Sequence, residues 1–249
     1  MIVAARPAMG KTGFGLGAAW YAAAKNETPA AVFSLEMSKE QLVQRLLSQE
    51  SGVSITNIRR GKIEDQEWPK FVKAGATSAE APLYIDDTAQ ISVSQMRSKL
   101  RRLNARLRGR GQQLGVVVVD YLQLMVPGTR SDSRQVEVAE ISRGLKILAR
   151  DLSVPVIALS QLSHAVEGRH DKRPLLSDLR DSGALEQDAD MVMFLYRDEY
   201  YNPDSENTGI AEVIVGKHRN GPTGTVKLAW LEREARFGSL KGEFGEVDG

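Results

Sequence analysis

Gly10, Lys11 and Thr12 stand together a few residues after the apolar run Ile2-Val3-Ala4, and as a trio they suit a phosphate group. The stretch Ala5-Arg6-Pro7-Ala8-Met9-Gly10-Lys11-Thr12 fits the phosphate-loop pattern G-x-x-x-x-G-K-[ST], with Ala5 in place of the first glycine. In such a loop, backbone N–H groups wrap a β-phosphate and the following helix points its positive end at it. Gly10 permits the close turn, Lys11 reaches the β/γ oxygens, and the Thr12 hydroxyl contacts Mg2+. Arg6, Pro7, Ala8 and Met9 complete the binding loop. The chemistry expected is capture of a nucleoside triphosphate with Mg2+.

Hydrolysis needs further groups, and several polar residues end apolar runs. Asp120 ends Val116-Val117-Val118-Val119, where open α/β sheets place ligand groups. A carboxylate there can hold the Mg2+ shell opposite Thr12; an acid that merely ends a strand is the plainer alternative. Glu36 follows Ala31-Val32-Phe33-Ser34-Leu35 and can act as a general base on the attacking water. It would equally suit the N-terminus of the next helix, but beside Lys11, Thr12 and Asp120 the base reading leads. Gln161 ends Val156-Ile157-Ala158-Leu159-Ser160, where an amide could distinguish triphosphate from diphosphate or simply finish a strand. Lys217-His218-Arg219-Asn220-Gly221-Pro222 reads as a hairpin turn. On pattern alone its cations are solubilising surface charges; the alternative is a pair of fingers, Lys217 and Arg219, reaching a neighbouring subunit's nucleotide.

These groups need a scaffold, and 249 residues suffice for one large α/β domain. Strands are expected at Ile2–Ala5, Ala30–Glu36, Leu83–Asp86, Leu114–Leu124, Pro155–Gln161, Met191–Tyr196, Ala211–Lys217 and Thr225–Leu231. The valine run lacks alternation, as a central parallel strand covered on both faces would. Ser38-x-x-Gln41 and Ser92-x-x-Gln95 predict capping boxes opening helices, and helices are also expected over Lys11–Lys25 and Gln135–Leu152. Residues 51–80 read as peripheral helix and residues 164–182 as a long charged loop. The sum is a mainly parallel twisted sheet with helices on both faces and an antiparallel C-terminal extension. Gly13, Gly15 and Gly17 burden the first helix at about 1 kcal/mol each, with close packing on the sheet as the suggested reason.

Net charge is only +1, so binding to a polyanion would require a local patch. Arg97, Lys99, Arg101, Arg102, Arg106, Arg108 and Arg110 could form one, but they occupy most of a helix circumference and read first as a solvated face. The absence of cysteine excludes disulfides and fits an intracellular protein. No H-x-x-x-H spacing suggests zinc, and no apolar run approaches a membrane span. The first strand begins at residue 2, so the chain is expected to be a domain cut from a longer protein.

With those residues assembled, the chain resembles the RecA-type motor domain of the bacterial replicative DNA helicases, the DnaB family. The resemblance rests on Ala4 through Thr12, Phe33-Ser34-Leu35-Glu36-Met37-Ser38, Val118-Val119-Asp120-Tyr121-Leu122-Gln123-Leu124, and Ala158-Leu159-Ser160-Gln161-Leu162-Ser163. It continues through Ser177-Asp178-Leu179-Arg180-Asp181-Ser182-Gly183, Asp188-Ala189-Asp190 and Lys217-His218-Arg219-Asn220-Gly221. Ala5 is a common variant in that family. The resemblance implies a RecA-like P-loop NTPase core spanning 1–240; the tail, 241–249, shows no packing pattern and is expected to be mobile. It implies an ATP- and Mg2+-dependent helicase that forms a homo-hexamer and translocates 5′ to 3′ on single-stranded DNA.

Carried over by residue, Lys11 and Thr12 bind phosphate and Mg2+, Glu36 is the base, Asp120 the metal acid and Gln161 the γ-phosphate sensor. Lys217 and Arg219 become fingers acting in trans, reversing the reading from pattern alone. Arg180, Asp181 and Gly183 fall on a loop that contacts the DNA backbone, and sequence-neutral phosphate gripping suits a loop with few aromatics. The family's N-terminal collar and linker helix are absent from this sequence, so primase contacts made through the collar should be lost, while a helicase loader is a further partner. The implied location is cytoplasmic, without a membrane. A strand-exchange ATPase forming open filaments, a signalling ATPase indifferent to DNA, and a binding module inert alone are the competing readings.

Overall fold

A computed structural model of the chain describes residues 1–128, 131–179 and 183–240, so the tail expected at 241–249 lies outside the described residues. The described residues form a nine-stranded sheet in the order β3-β2-β4-β5-β1-β6-β7-β8-β9. The strands are β1 (Ile2–Ala5), β2 (Ala30–Ser34), β3 (Leu83–Asp86), β4 (Val116–Asp120), β5 (Val156–Gln161), β6 (Met191–Tyr196), β7 (Ile210–His218), β8 (Gly224–Leu231) and β9 (Arg236–Gly238). The six strands from β3 to β6 in this order run parallel, and β7, β8 and β9 extend the sheet antiparallel. The helices are α1 (Lys11–Trp20), α2 (Lys39–Ser51), α3 (Ile55–Arg60), α4 (Trp68–Glu80), α5 (Val93–Arg108), α6 (Arg134–Leu152), α7 (Gly183–Asp188) and α8 (Asp198–Tyr201).

Apolar clusters cover both faces of the sheet. Phe33, Val117 and Val119 face α5 and α6 side chains such as Met96, Leu100 and Leu145, while Val3, Val32 and Val118 pack with Leu16, Leu42 and Leu46 of α1 and α2. This double coverage explains the uninterrupted valine run. Both capping boxes form: Ser38 Oγ accepts from Gln41 N and Ser92 Oγ from Gln95 N, with each glutamine side chain returning the bond. Helix α5 turns Met96, Leu100, Asn104 and Leu107 inward. Arg97 and Arg101 approach Asp151 and Lys99 binds Asp86, so part of the basic run is paired within the chain and its remainder is exposed.

Several boundaries differ from those expected. The second strand stops at Ser34 rather than Glu36, although Leu35 N still donates to Asp120 O at 2.7 Å. The valine strand occupies only Val116–Asp120, and Leu122–Leu124 coils into a 3-10 turn. The α1 helix loosens into a π-helical turn at Tyr21–Lys25. Within the expected 164–182 loop, the described residues 164–179 carry more structure than a plain loop. Short 3-10 turns at His164–Gly168 and Leu176–Asp178 are held by Arg169, which donates to both Asp178 oxygens at 2.8 Å.

The glycines of α1 have distinct explanations. A Cβ on Gly13 would stand 2.6 Å from Ala235 O, and one on Gly15 would press Leu159 and Val118 at 3.0–3.1 Å. Gly17 has open space.

Candidate nucleotide site

Strand register brings the polar strand ends to one edge of the sheet. Ala5, the last residue of β1, lies opposite Gln161, and Ser34 lies opposite Asp120. The loop after β1 thus emerges beside Gln161, with Glu36 just beyond the end of β2. Gly10 caps α1 in the left-handed region at φ 91°, and Ala8 also holds φ 65°. The first N–H groups of α1 have no intrahelical acceptor and face this edge, where a helix terminus favours an anion.

The C-terminal strands brace that loop. Trp230 and Phe237 would lie 2.8 and 2.9 Å from a Cβ on Gly10, so glycine is required there by contact as well as by conformation. Arg197 donates to Ala8 O at 3.1 Å and stacks over the Trp230 ring at 4.5 Å. Gln49 donates to Ala235 O, tying α2 to the same cover.

A cleft of about 380 Å³ opens over the loop, bounded also by Glu36, Arg45, Tyr121, Gln161 and Trp230. On its floor Thr12 Oγ1 donates to Asp120 Oδ2 at 2.6 Å, while Asp120 Oδ1 is buried without a hydrogen-bond partner. Burial pushes the Asp120 carboxyl above its ordinary range, opposed by the Thr12 hydrogen bond and Lys11. Burial likewise lowers the Lys11 ammonium, opposed by Asp120 and Glu36. Lys11 Nζ stands 4.1 Å from the Tyr121 ring centroid.

Arg45 contributes a third underused charge. Its Nε is buried with no partner, and burial and the like charge of Arg59 depress its guanidinium, with Asp120 and Glu36 opposing. Among the described residues no cluster of three or more His, Cys, Asp or Glu could hold a metal. Thr12 and Asp120 are nevertheless hard oxygen donors, and the unpartnered Oδ1 gives an Mg2+ shell something to meet. They fit a cation whose remaining ligands are phosphate and water.

The other expected residues divide. Gln161 lines the cleft, and its backbone is gripped by the Gln123 side chain: Gln123 Oε1 accepts from Gln161 N at 3.2 Å and Gln123 Nε2 donates to Gln161 O at 3.1 Å. Arg6, Pro7, Ala8, Gly10, Lys11 and Thr12 line the cleft, but Met9 is buried in the core and offers only backbone. The Arg6 guanidinium is directed to Leu162, His164 and Glu167. Lys217 and Arg219 do not join the site. His218 pairs with Met191, the first residue of β6, at the edge opposite the phosphate loop. There Arg219 meets Asp190 at 3.1 Å and Lys217 donates to Glu186 O. Gly183 opens α7 and is exposed, whereas Arg180 and Asp181 lie outside the described residues.

Sequence reasoning missed Arg45, Tyr121, Gln123 and the Trp230–Phe237 cover. Arg45 left a signal: it interrupts the inward stripe Leu42, Leu46, Gln49 with a charge. Gln123 left none, since its partner is 38 positions away.

The chain matches the DnaB-like helicase C-terminal domain family over residues 1–239. It is 52% identical over 248 residues to the replicative DNA helicase DnaB of Geobacillus stearothermophilus, covering 99% of this chain and 54% of that protein. It is 49% identical to the replicative DNA helicase DnaC of Bacillus subtilis, with the same coverage. The chain therefore spans about half the length of these relatives. Among solved structures, one described as an ATPase domain superposes with a TM-score of 0.91 at 43% identity, covering 96% of this chain and 84% of that one. A DnaB-like replicative helicase described with its interactions with primase superposes equally well, with 57% of that chain covered. Matched along nearly its whole length, and carrying the RecA-like sheet of those structures, the chain belongs to the DnaB-like helicase C-terminal domain family.

Proposed function

We propose that residues 1–240 are the ATP-hydrolysing motor of a ring-shaped replicative helicase that moves 5′ to 3′ on single-stranded DNA. The observation that carries this reading is the pairing of Thr12 with Asp120 beneath Lys11, with one buried carboxylate oxygen unsatisfied, in a cleft that Glu36 borders. Thr12 and Asp120 would hold Mg2+, which would supply neutralisation of phosphate charge. Lys11 and the α1 N-terminus hold the phosphates, displacing Lys11 from Tyr121. Glu36 accepts a proton from the attacking water, and Arg45 supplies positive charge on the side facing Glu36 and Asp120. Gln161, held by Gln123, reports the γ-phosphate.

Lys217 and Arg219 complete a neighbour's site rather than their own. Their position at the far edge supports that reading, because a head-to-tail ring sets unlike faces of successive subunits together. Arg180, Asp181 and Gly183 would lie on a channel loop that contacts the DNA backbone, with Arg180 as its cation for phosphate. The hexamer and primase contacts would depend on the collar and linker regions, and a loader would open the ring. No helix among the described residues is long and apolar enough to cross a membrane.

The test is steady-state ATP turnover against protein concentration, with and without single-stranded DNA, using Lys11→Ala as the blank. The motor reading expects turnover per subunit to rise with concentration and again with DNA. Turnover flat in concentration and indifferent to DNA would favour a signalling ATPase and remove Arg219 from the mechanism.

A further inference from the structure

We propose that Arg6 is a positioning residue that transmits the state of the phosphate loop to the segment ending at residue 179, instead of binding phosphate through its side chain. The inference rests on the motor reading above. Arg6 is the first residue after β1 and borders the cleft, yet its side chain is only 5% exposed and its guanidinium is taken up by partners within the chain. Nη1 donates to Leu162 O at 2.9 Å, Nε to Glu167 Oε1 at 2.9 Å, and Nη2 lies 2.8 Å from His164 Nδ1. All these acceptors belong to the stretch that follows Gln161.

Leu162 is the hinge of the connection. Its N–H donates to Ala5 O at 3.2 Å, its carbonyl accepts from Arg6, and it forms an isolated antiparallel bridge with Leu179. Leu162 and Leu179 are both buried. Ser163 N donates to Asp178 O at 3.0 Å, and Arg169 fixes the Asp178 carboxylate from the other side. A shift of the phosphate loop at Arg6 must therefore move or strain Leu162, and through it Leu179, which leads directly into residues 180–183. A guanidinium suits this role because its planar fork holds several acceptors in fixed relative positions, which an ammonium does not.

The test uses Glu167→Gln, His164→Ala, Arg6→Lys and Arg6→Ala in the whole chain. His164 is largely exposed and Glu167 nearly half exposed, so their variants should keep the fold even if Arg6→Ala does not. Binding of a fluorescent ATP analogue, ATP turnover with and without a single-stranded oligonucleotide, and amide exchange across residues 162–179 with and without nucleotide are measured. Nucleotide affinity of Glu167→Gln and His164→Ala should stay within about twofold, while DNA stimulation falls about five- to tenfold or more. Nucleotide-dependent protection of 162–179 should disappear with it, and Arg6→Lys should not restore either readout.

Loss of nucleotide affinity in Arg6→Ala with silent Glu167 and His164 variants would make Arg6 a phosphate ligand and overturn the proposal. So would nucleotide-dependent protection that survives in every variant. If the unmodified chain binds nucleotide but ignores DNA, the motor reading fails, and the exchange data still judge the link. If it binds no nucleotide, both fail.

Discussion

The two edges of the parallel sheet carry similar numbers of charged side chains in opposite conditions. At the phosphate-loop edge, Lys11, Arg45 and Asp120 are desolvated, and atoms of Arg45 and Asp120 lack any partner. At the other edge, Lys146, Asp190 and Arg219 satisfy one another in the open, with the Arg219 side chain 55% exposed. Folding alone favours the second arrangement, since a buried charge without a partner costs stability. Buried charges short of partners, as in the first arrangement, are characteristic of binding sites. The edge opposite holds cations that are partly exposed and already paired within the chain.

Breaking both edges at once gives the largest effect. Lys11→Ala and Arg219→Ala should each lower ATP turnover about 100-fold or more. If the edges serve different sites, mixing the two variants should restore part of the activity, because some interfaces then pair an intact phosphate loop with an intact finger. A mixture as inactive as its components would place both residues in one site. Thermal midpoints should separate them as well: Arg219→Ala should shift stability by no more than about 0.5 kcal/mol.

Asp120→Asn sharpens the electrostatic half of the contrast. Turnover should again fall about 100-fold, while stability at neutral pH holds or rises. The sign follows from the raised carboxyl. Its folded form retains a proton that the unfolded form releases near pH 4, so native stability from this group is present below that pH and declines as pH rises. Thermal melts from pH 4 to pH 7 should show the asparagine variant gaining on the native chain. The opposite edge should behave in reverse. The Lys146 hydrogen bond holds the Asp190 carboxyl below its ordinary range, so its contribution is full at neutral pH and is lost on acidification. Lys146→Met should therefore cost stability at pH 7 by about 0.5 kcal/mol, with the difference beginning to shrink as pH falls below about 4.

Glycine substitutions give the smaller, packing-controlled effects. Gly10→Ala meets both Trp230 and an unfavourable φ and should cost about 2 kcal/mol, with loss of nucleotide binding. Gly17→Ala meets nothing and should stabilise α1 by about 0.5–1 kcal/mol, read as a higher midpoint in chemical denaturation.

How legible all this was depended on range. Strands buried on both faces announce themselves as apolar runs, and β1, β3 and the two capping boxes stand where residue pattern alone places them. The phosphate loop was equally visible because its function requires residues in immediate succession. Gln123, Arg45 and the Trp230 cover were hidden because their meaning lies in contacts across the sheet order, which no local periodicity encodes. The same blindness hid where the Arg6 side chain goes: the motif marks its position, whereas Leu162, His164 and Glu167 decide what it holds.

The cover that Trp230 and Phe237 place over Gly10 has a consequence for biosynthesis. Within this chain the phosphate loop leaves the ribosome well before its brace does. Until β8 and β9 emerge and dock, the nascent chain carries a correctly spelled loop with no wall behind it, and β1 also waits for β5 and β6 on either side. Nucleotide capture would then be a late event in the life of each molecule, marking the completion of the sheet rather than guiding its assembly.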